Sequence, residues 1–383
     1  MSLLKLLVVS HACVTPVNQS FYADVARQTG WDIELVIPAH WNTEYTSNLE
    51  VSRWPDFSGD IHAIPVWKSG SIPLHLYKQT MIGLLRKMRP DAIYMHHEPY
   101  GLATAQVYLA NKVAGNCPIG FYAAQNILKT YPIPFRWFES LVFGSSAFCL
   151  PVTEGALEVL RQKGYSGKAT VLPLALDANI YQPKHAWATA KRAELGIGDD
   201  EFVIGYLGRL VEEKGLQKML EAAASLKDKK WRCVLVGNGP EEANLRALAA
   251  KLEIEDRVIF AGFVRHEEAP GWLSLFDVLV LASEARANWK EQFGRVILEA
   301  NACETAVIGT ESGEIGNVLR NTEGGLIVPE GDVALLAKAL RCLAEDPGLR
   351  KSMASRGASL VREKYDQNFL ASQFIDTIRA VTK

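Results

Sequence analysis

Two cations and a glycine-flanked turn stand together in Gly205-Tyr206-Leu207-Gly208-Arg209-Leu210-Val211-Glu212-Glu213-Lys214-Gly215. A short apolar run precedes them and an amphipathic run follows. Arg209, Lys214 and the amides of a following helix N-terminus would together meet the charge of a diphosphate without a metal. On residue types alone, a surface loop with two solvated cations fits as well. The Gly-Lys-Ser/Thr of a Walker A loop is absent.

A second charged constellation is Glu291-Gln292-Phe293-Gly294-Arg295-Val296-Ile297-Leu298-Glu299. If wholly helical, Glu291 and Glu299 would stand at most about 12 Å apart. A glycosidase acid and base instead face one bond within roughly 5–10 Å. The pair suits hydroxyl-bearing groups at the two ends of a diphosphate, with a helix N-terminus between them. The third glycine-bearing segment, Val236-Gly237-Asn238-Gly239-Pro240-Glu241, lacks the last glycine of a dinucleotide fingerprint and reads mainly as a helix entry.

These segments need strands to hold them. Short continuous apolar runs alternate with amphipathic ones throughout the chain. Predicted strands are 4–10, 33–37, 61–66, 92–95, 119–123 and 147–152 in the first half. In the second they are 202–207, 232–236, 258–261, 278–282, 306–309 and 326–328. Such runs are the pattern of parallel sheets covered on both faces. Helices are expected at 216–226, 241–252, 295–303, 333–345 and 349–365, giving an α/β fold of two Rossmann-like domains. Because ligands of such sheets sit beyond the carboxyl ends of strands, His96 and His97, after the strand at 92–95, and His11, after the first strand, are candidate contacts. Adjacent histidines point in different directions, so no shared metal is expected for His96 and His97.

At 383 residues, 48% apolar and 22% charged, the chain is globular and long enough for about two domains. Lys plus Arg number 41 against 43 Asp plus Glu, which provides no basic field for nucleic acid. Six scattered cysteines suggest neither a zinc motif nor a disulfide framework, and fit a reducing cytoplasm. The apolar start, 3–10, reads as a buried strand rather than a signal peptide. Charge is sparser and aromatics denser before residue 180, and the chain turns polar at 181–200, placing a boundary near Leu174–Tyr181.

Taken in order and spacing, Gly208-Arg209-Leu210 with Lys214-Gly215, Gly237-x-Gly239, Gly262-Phe263-Val264, Glu291 with Glu299, and Gly324-Gly325-Leu326-Ile327-Val328-Pro329 resemble the retaining glycosyltransferases of family 4. Leu172-Pro173-Leu174-Ala175-Leu176-Asp177 is similar to the segment that closes that family's N-terminal domain. The resemblance implies the GT-B fold, with two Rossmann-like domains facing across a cleft. The N-terminal acceptor domain would be 1–175 plus about 366–383, its last helix crossing back, and the nucleotide-sugar domain 176–365.

The resemblance also implies roles. Arg209 and Lys214 bind the donor diphosphate, Glu291 holds donor-sugar hydroxyls, and these three are the expected catalytic residues. Gly208, Gly237, Gly239, Phe293 and Gly294 line the donor, Glu299 binds the ribose, and Gly262, Val264 and Arg265 meet the base. Sugar passes from a nucleoside-diphosphate donor to a saccharide or lipid-linked acceptor, with no cofactor and no metal; the chain lacks an Asp-x-Asp. The first domain departs from the family pattern. Its first loop, Ser10–Ser20, lacks the Gly-Gly pair and offers His11, Asn18 and Gln19, while Gln125 and Asn126 stand where many members have histidine.

The stretches 128–138 and 74–89 mix aromatics with cations. They read either as a peripheral membrane contact at the inner face, or as core aromatics with solvated cations. Two rival functions stay open: a nucleotide-sugar epimerase on the same fold, and a non-catalytic nucleotide-sugar-binding protein.

Overall fold

The computed structural model describes residues 3–42 and 48–382. The chain divides into two units, one formed by Met1–Ala175 with Gln367–Lys383 and the other by Leu176–Asp366.

In the first unit a six-stranded sheet is built from β1 (Lys5–Val9), β2 (Asp32–Pro38), β3 (Ile61–Ile64), β4 (Ala92–Met95), β5 (Ile119–Ala123) and β6 (Phe148–Pro151). Its spatial order is β6-β5-β4-β1-β2-β3, and every pairing is parallel. β1 and β4 are buried almost end to end, which is why they read as unbroken apolar runs. Two short antiparallel hairpins, His40–Trp41 with Leu49–Glu50 and Val66–Trp67 with Leu76–Tyr77, had no period to betray them.

The C-terminal helix Gln367–Thr382 belongs to this first unit. Its Phe374 is fully buried against Phe21, Tyr22 and Tyr94, with ring centroids 5.2–6.3 Å apart. Its Gln367 donates to Asp24 at 2.7 Å.

In the second unit the sheet comprises β7 (Phe202–Leu207), β8 (Trp231–Val236), β9 (Val258–Gly262), β10 (Val278–Leu281), β11 (Ala306–Thr310) and β12 (Gly325–Val328). The order is β9-β8-β7-β10-β11-β12, again all parallel. Each sheet therefore runs 3-2-1-4-5-6 by its own strands. The order reverses between β1 and β4 in one and between β7 and β10 in the other, and a doubly wound sheet binds ligands at the carboxyl end of such a switch point. Among the described residues, no helix is long and apolar enough to cross a membrane.

Candidate functional site

The switch point of the second sheet is bordered by the loops after β7 and β10. The loop after β7 carries Gly208, Arg209 and Lys214 into the helix Leu216–Ala224. The loop after β10 carries Glu291, Phe293 and Gly294 into the helix Arg295–Ala302. Lys214 Nζ lies 2.6 Å from Glu291 Oε2 and 5.0 Å from the ring centre of Trp289. Ser283 also donates to Glu291, at 3.3 Å. Both charged side chains are about seven-eighths buried, at 14% and 13% exposure, so a low-dielectric setting strengthens their pairing. Arg209 is one-third exposed, 3.8 Å from Glu213.

The glycines after β8 have a purpose the sequence did not reveal. At Gly237 φ is +130°, and a Cβ there would lie 1.9 Å from the Gly208 carbonyl oxygen. A Cβ on Gly239 would meet the Leu210 carbonyl at 2.2 Å. The amide of Leu210 donates to Asn238 and that of Glu241 to Leu210. The second loop thus braces the first by backbone contact, and so fixes where Arg209 and Lys214 begin.

Glu299 is 7% exposed on the helix Arg295–Ala302, with Arg295 Nε 3.2 Å from its carboxylate. The Tyr181 hydroxyl lies beside the same carboxylate and 3.1 Å from His266 Nε2; burial first, then Glu299, raises its pKa. Tyr181 and His266 therefore connect Glu299 to the strand end Gly262-Phe263-Val264-Arg265. Arg265 itself is largely exposed, 3.6 Å from Glu268. Sequence reasoning missed Tyr181, His266 and Trp289, since no motif spacing ties them to the site; an aromatic two residues before Glu291 was the one available signal for Trp289.

At the switch point of the first sheet, the adjacent histidines diverge as side-chain alternation demands. His96 meets Tyr22 Oη at 3.0 Å and Ser10 Oγ at 3.3 Å and packs against Tyr94 and Tyr122. His97 turns to His11, with the two Nδ1 atoms 3.1 Å apart, and stacks on His75. Burial pushes the His11 imidazole down to about 3 and His96 to about 4, and lowers His75 and His97 as well. His75 was absent from the sequence reading, because it lies in an irregular stretch before a two-residue strand.

Glu98 follows them, buried and accepting from the Ala124 amide at 2.9 Å. Burial lifts its pKa to about 7. It ties the histidine loop to the loop carrying Gln125 and Asn126; Gln125 accepts from the Ile127 amide at 3.0 Å.

One first-loop expectation needs correction. Gln19 is fully buried, donating to the carbonyls of Cys13 and Ser52 and accepting from the Trp54 amide. Its amide is consumed in holding the 52–54 segment, leaving nothing for an acceptor. Asn18 donates to the Ala12 carbonyl at 2.7 Å and closes its own loop. Of the aromatic stretch 128–138, Leu128, Ile133 and Trp137 are exposed, so its core reading fails for them. In 74–89 the burial fits the reading of core residues with solvated cations: the helix Met81–Met88 buries Met81, Leu84, Leu85 and Met88 and turns Arg86 and Lys87 outward.

An α/β chain with two six-stranded parallel sheets of this order has the form of the GT-B fold. Residues 188–359 match the family described as glycosyl transferases group 1. The match lies within the second unit. The chain is 28% identical over 341 residues to alpha-D-kanosaminyltransferase of Streptomyces kanamyceticus, covering 85% of this chain and 86% of that one. It is 31% identical over 200 residues to N-acetyl-alpha-D-glucosaminyl L-malate synthase of Bacillus anthracis, about half of each chain. Among solved structures, sucrose-phosphate synthase from Thermosynechococcus elongatus superposes with a TM-score of 0.75 at 19% identity, covering 98% of both chains. Anabaena HepE in complex with UDP-glucose gives a TM-score of 0.74 at 18% identity, over 98% of this chain and 99% of that one.

Proposed function

We propose that this chain is a family 4 enzyme that moves a sugar from a nucleoside diphosphate, UDP by preference, to a hydroxyl acceptor with retention of anomeric configuration. The observation that carries the reading is the Lys214–Glu291 pair at the switch point of the second sheet, flanked by Arg209 and the amino end of the helix Arg295–Ala302. Breaking the glycosyl bond leaves its electron pair on the diphosphate and positive charge on the sugar. Arg209 and Lys214 stabilise the departing anion more than the bound donor, which lowers the barrier. Glu291 would hold donor-sugar hydroxyls, and Gly208, Phe293 and Gly294 would line the sugar and phosphates. Glu299, steadied by Arg295 and Tyr181, would take the ribose, and the backbone of 262–264 the base. The leaving phosphate would accept the acceptor's proton on the same face. Nothing in this scheme calls on a divalent cation at the donor.

Acceptor recognition would fall to the first unit, through His11, His97 and the Gln125–Asn126 loop. The exposed Leu128, Ile133 and Trp137 beside Lys129 and Arg136 support a peripheral membrane contact and a lipid-linked acceptor in glycolipid or polysaccharide synthesis. Binding to anionic vesicles in a flotation assay is expected, and its absence would remove this part of the reading.

The deciding experiment is a thermal-shift screen of nucleotide sugars followed by product analysis with the best donor. A UDP-sugar should raise the unfolding midpoint most, and the product should be a glycoside of the donor's own anomeric form. Release of an isomerised nucleotide sugar would identify an epimerase. Binding with neither transfer nor slow donor hydrolysis would identify a protein that only binds.

A further inference from the structure

We infer that His11, His75 and His97 form a binding site for one transition-metal ion of the zinc class, set at the switch point of the first sheet.

The placement follows from strand register. β1 and β4 are neighbours with Val9 opposite Met95. His11 and His97 each lie two residues beyond that pair, so they emerge on the same side, while His96 between takes the other. His75 enters from the hairpin segment before Leu76–Tyr77. One ligand nitrogen from each of the three lies within 4.8 Å of the others. Zinc–nitrogen bonds of about 2.0–2.1 Å in a tetrahedron put ligand nitrogens about 3.4 Å apart. His11 and His97 already stand close to that spacing, at 3.1 Å.

The hydrogen bonds of His75 supply an independent observation. Its Nδ1 lies 3.0 Å from the carbonyl oxygens of both Ser71 and Ile72, and so must carry the proton. The lone pair is thereby left on Nε2, which is buried with no hydrogen-bond partner. A backbone carbonyl fixing one ring nitrogen so that the other can ligate is the usual outer shell of a metal-bound histidine. His75 is wholly buried and His97 2% exposed. Trp41 closes one side, its ring centre 4.9 Å from His11 and 5.0 Å from His75.

Three imidazoles leave the ion its full charge and one open position. The ligand class for that position is an oxygen donor: water, hydroxide, or a carboxylate or phosphate oxygen. The ion would also fasten the 71–77 segment to the ends of β1 and β4. This inference is independent of the donor chemistry proposed for the second unit.

The test uses the full chain, freed of metal by a chelator and titrated with Co²⁺ and Zn²⁺. One equivalent of Co²⁺ should give the visible ligand-field absorption of a four-coordinate nitrogen and oxygen site, without a thiolate charge-transfer band. Zn²⁺ should raise the unfolding midpoint. His11→Gln and His75→Gln should each weaken binding by more than the about 10–100-fold typical of losing an outer-shell partner. His185→Gln, in the second unit, should leave it intact. Failure of the wild-type chain to bind one equivalent would overturn the inference in favour of a hydrogen-bonded histidine triad. Undiminished binding in both variants would overturn it too, as would a thiolate band. Should a variant not fold, the wild-type stoichiometry and spectrum still decide.

Discussion

Lys214 Nζ sits 2.6 Å from Glu291 Oε2, joining the loop after β7 to the loop after β10 across the switch point of the second sheet. The pair joins chain segments 77 residues apart. Both groups are largely buried, and a diphosphate would offer Lys214 a second anion. The two side chains therefore set each other's position before any donor arrives, which limits the reorganisation needed at the reaction step.

Lys214→Ala should lower turnover by about 10²-fold or more, since it removes a preorganised cation from the leaving group. Arg209→Ala should do the same. Nucleotide release under saturating donor and acceptor is the measurement. Rates near wild type in both variants would eliminate the diphosphate clamp, whatever the acceptor proves to be.

Glu299 has a different expected signature. Its carboxylate is held by Arg295 and Tyr181 and is assigned to the ribose, away from the breaking bond. Glu299→Ala should thus weaken nucleotide affinity while changing turnover at saturation much less. Calorimetric titration with UDP reads the first and initial rates the second. An affinity equal to wild type would contradict the ribose assignment.

The inner strands of both sheets were legible because they are buried on both faces, so nothing interrupts their apolar runs; Ala92–Met95, Ile119–Ala123 and Phe202–Leu207 match the sequence reading to the residue. That Lys214 and Glu291 share one site was legible as an ordered set of spacings, and the structure does bring the two side chains together. Gln19 was misread because a polar residue in a strand-end loop looks alike whether it faces a ligand or satisfies buried carbonyls. His75 was invisible for a related reason: its partners, His11 and His97, are far away in sequence, and only the sheet register unites them. Gly237 looked like helix-entry chemistry, whereas contact with the Gly208 backbone is a tertiary fact.

Glu34 supplies a pH dependence in the first unit. It is 5% exposed, 2.5 Å from Lys5 Nζ and 2.6 Å from His62 Nε2. Burial pushes its pKa up, but the hydrogen bonds from Lys5 and His62 together outweigh it and leave the carboxyl below its ordinary value of 4.5. A carboxyl depressed in the folded state adds stability above its unfolded pKa, and that share is lost as pH falls through the folded value. Glu34→Gln should therefore cost about 1–3 kcal/mol at neutral pH. The gap to wild type should shrink below pH 4.5, as the wild-type carboxyl becomes protonated. Urea denaturation across that range is the check, and a gap that widens in acid would refute the assignment.

Gly215 and Gly196 make a matched pair. Both are left-handed, at φ +65° and +67°, so alanine at either meets the same backbone penalty, about 1–2 kcal/mol. Their surroundings differ. A Cβ on Gly196 meets nothing within 4 Å, whereas one on Gly215 would lie 1.9 Å from the Ala282 carbonyl oxygen. Because Ala282 begins the loop that leads to Glu291, relief of that clash must separate the β7 and β10 loops. Gly196→Ala should stay near the backbone penalty and keep full activity. Gly215→Ala should cost about 3 kcal/mol or more and lose turnover as Lys214 parts from Glu291. Equal effects of the two substitutions on unfolding midpoint and rate would mean that loop contact at Ala282 does not position the lysine.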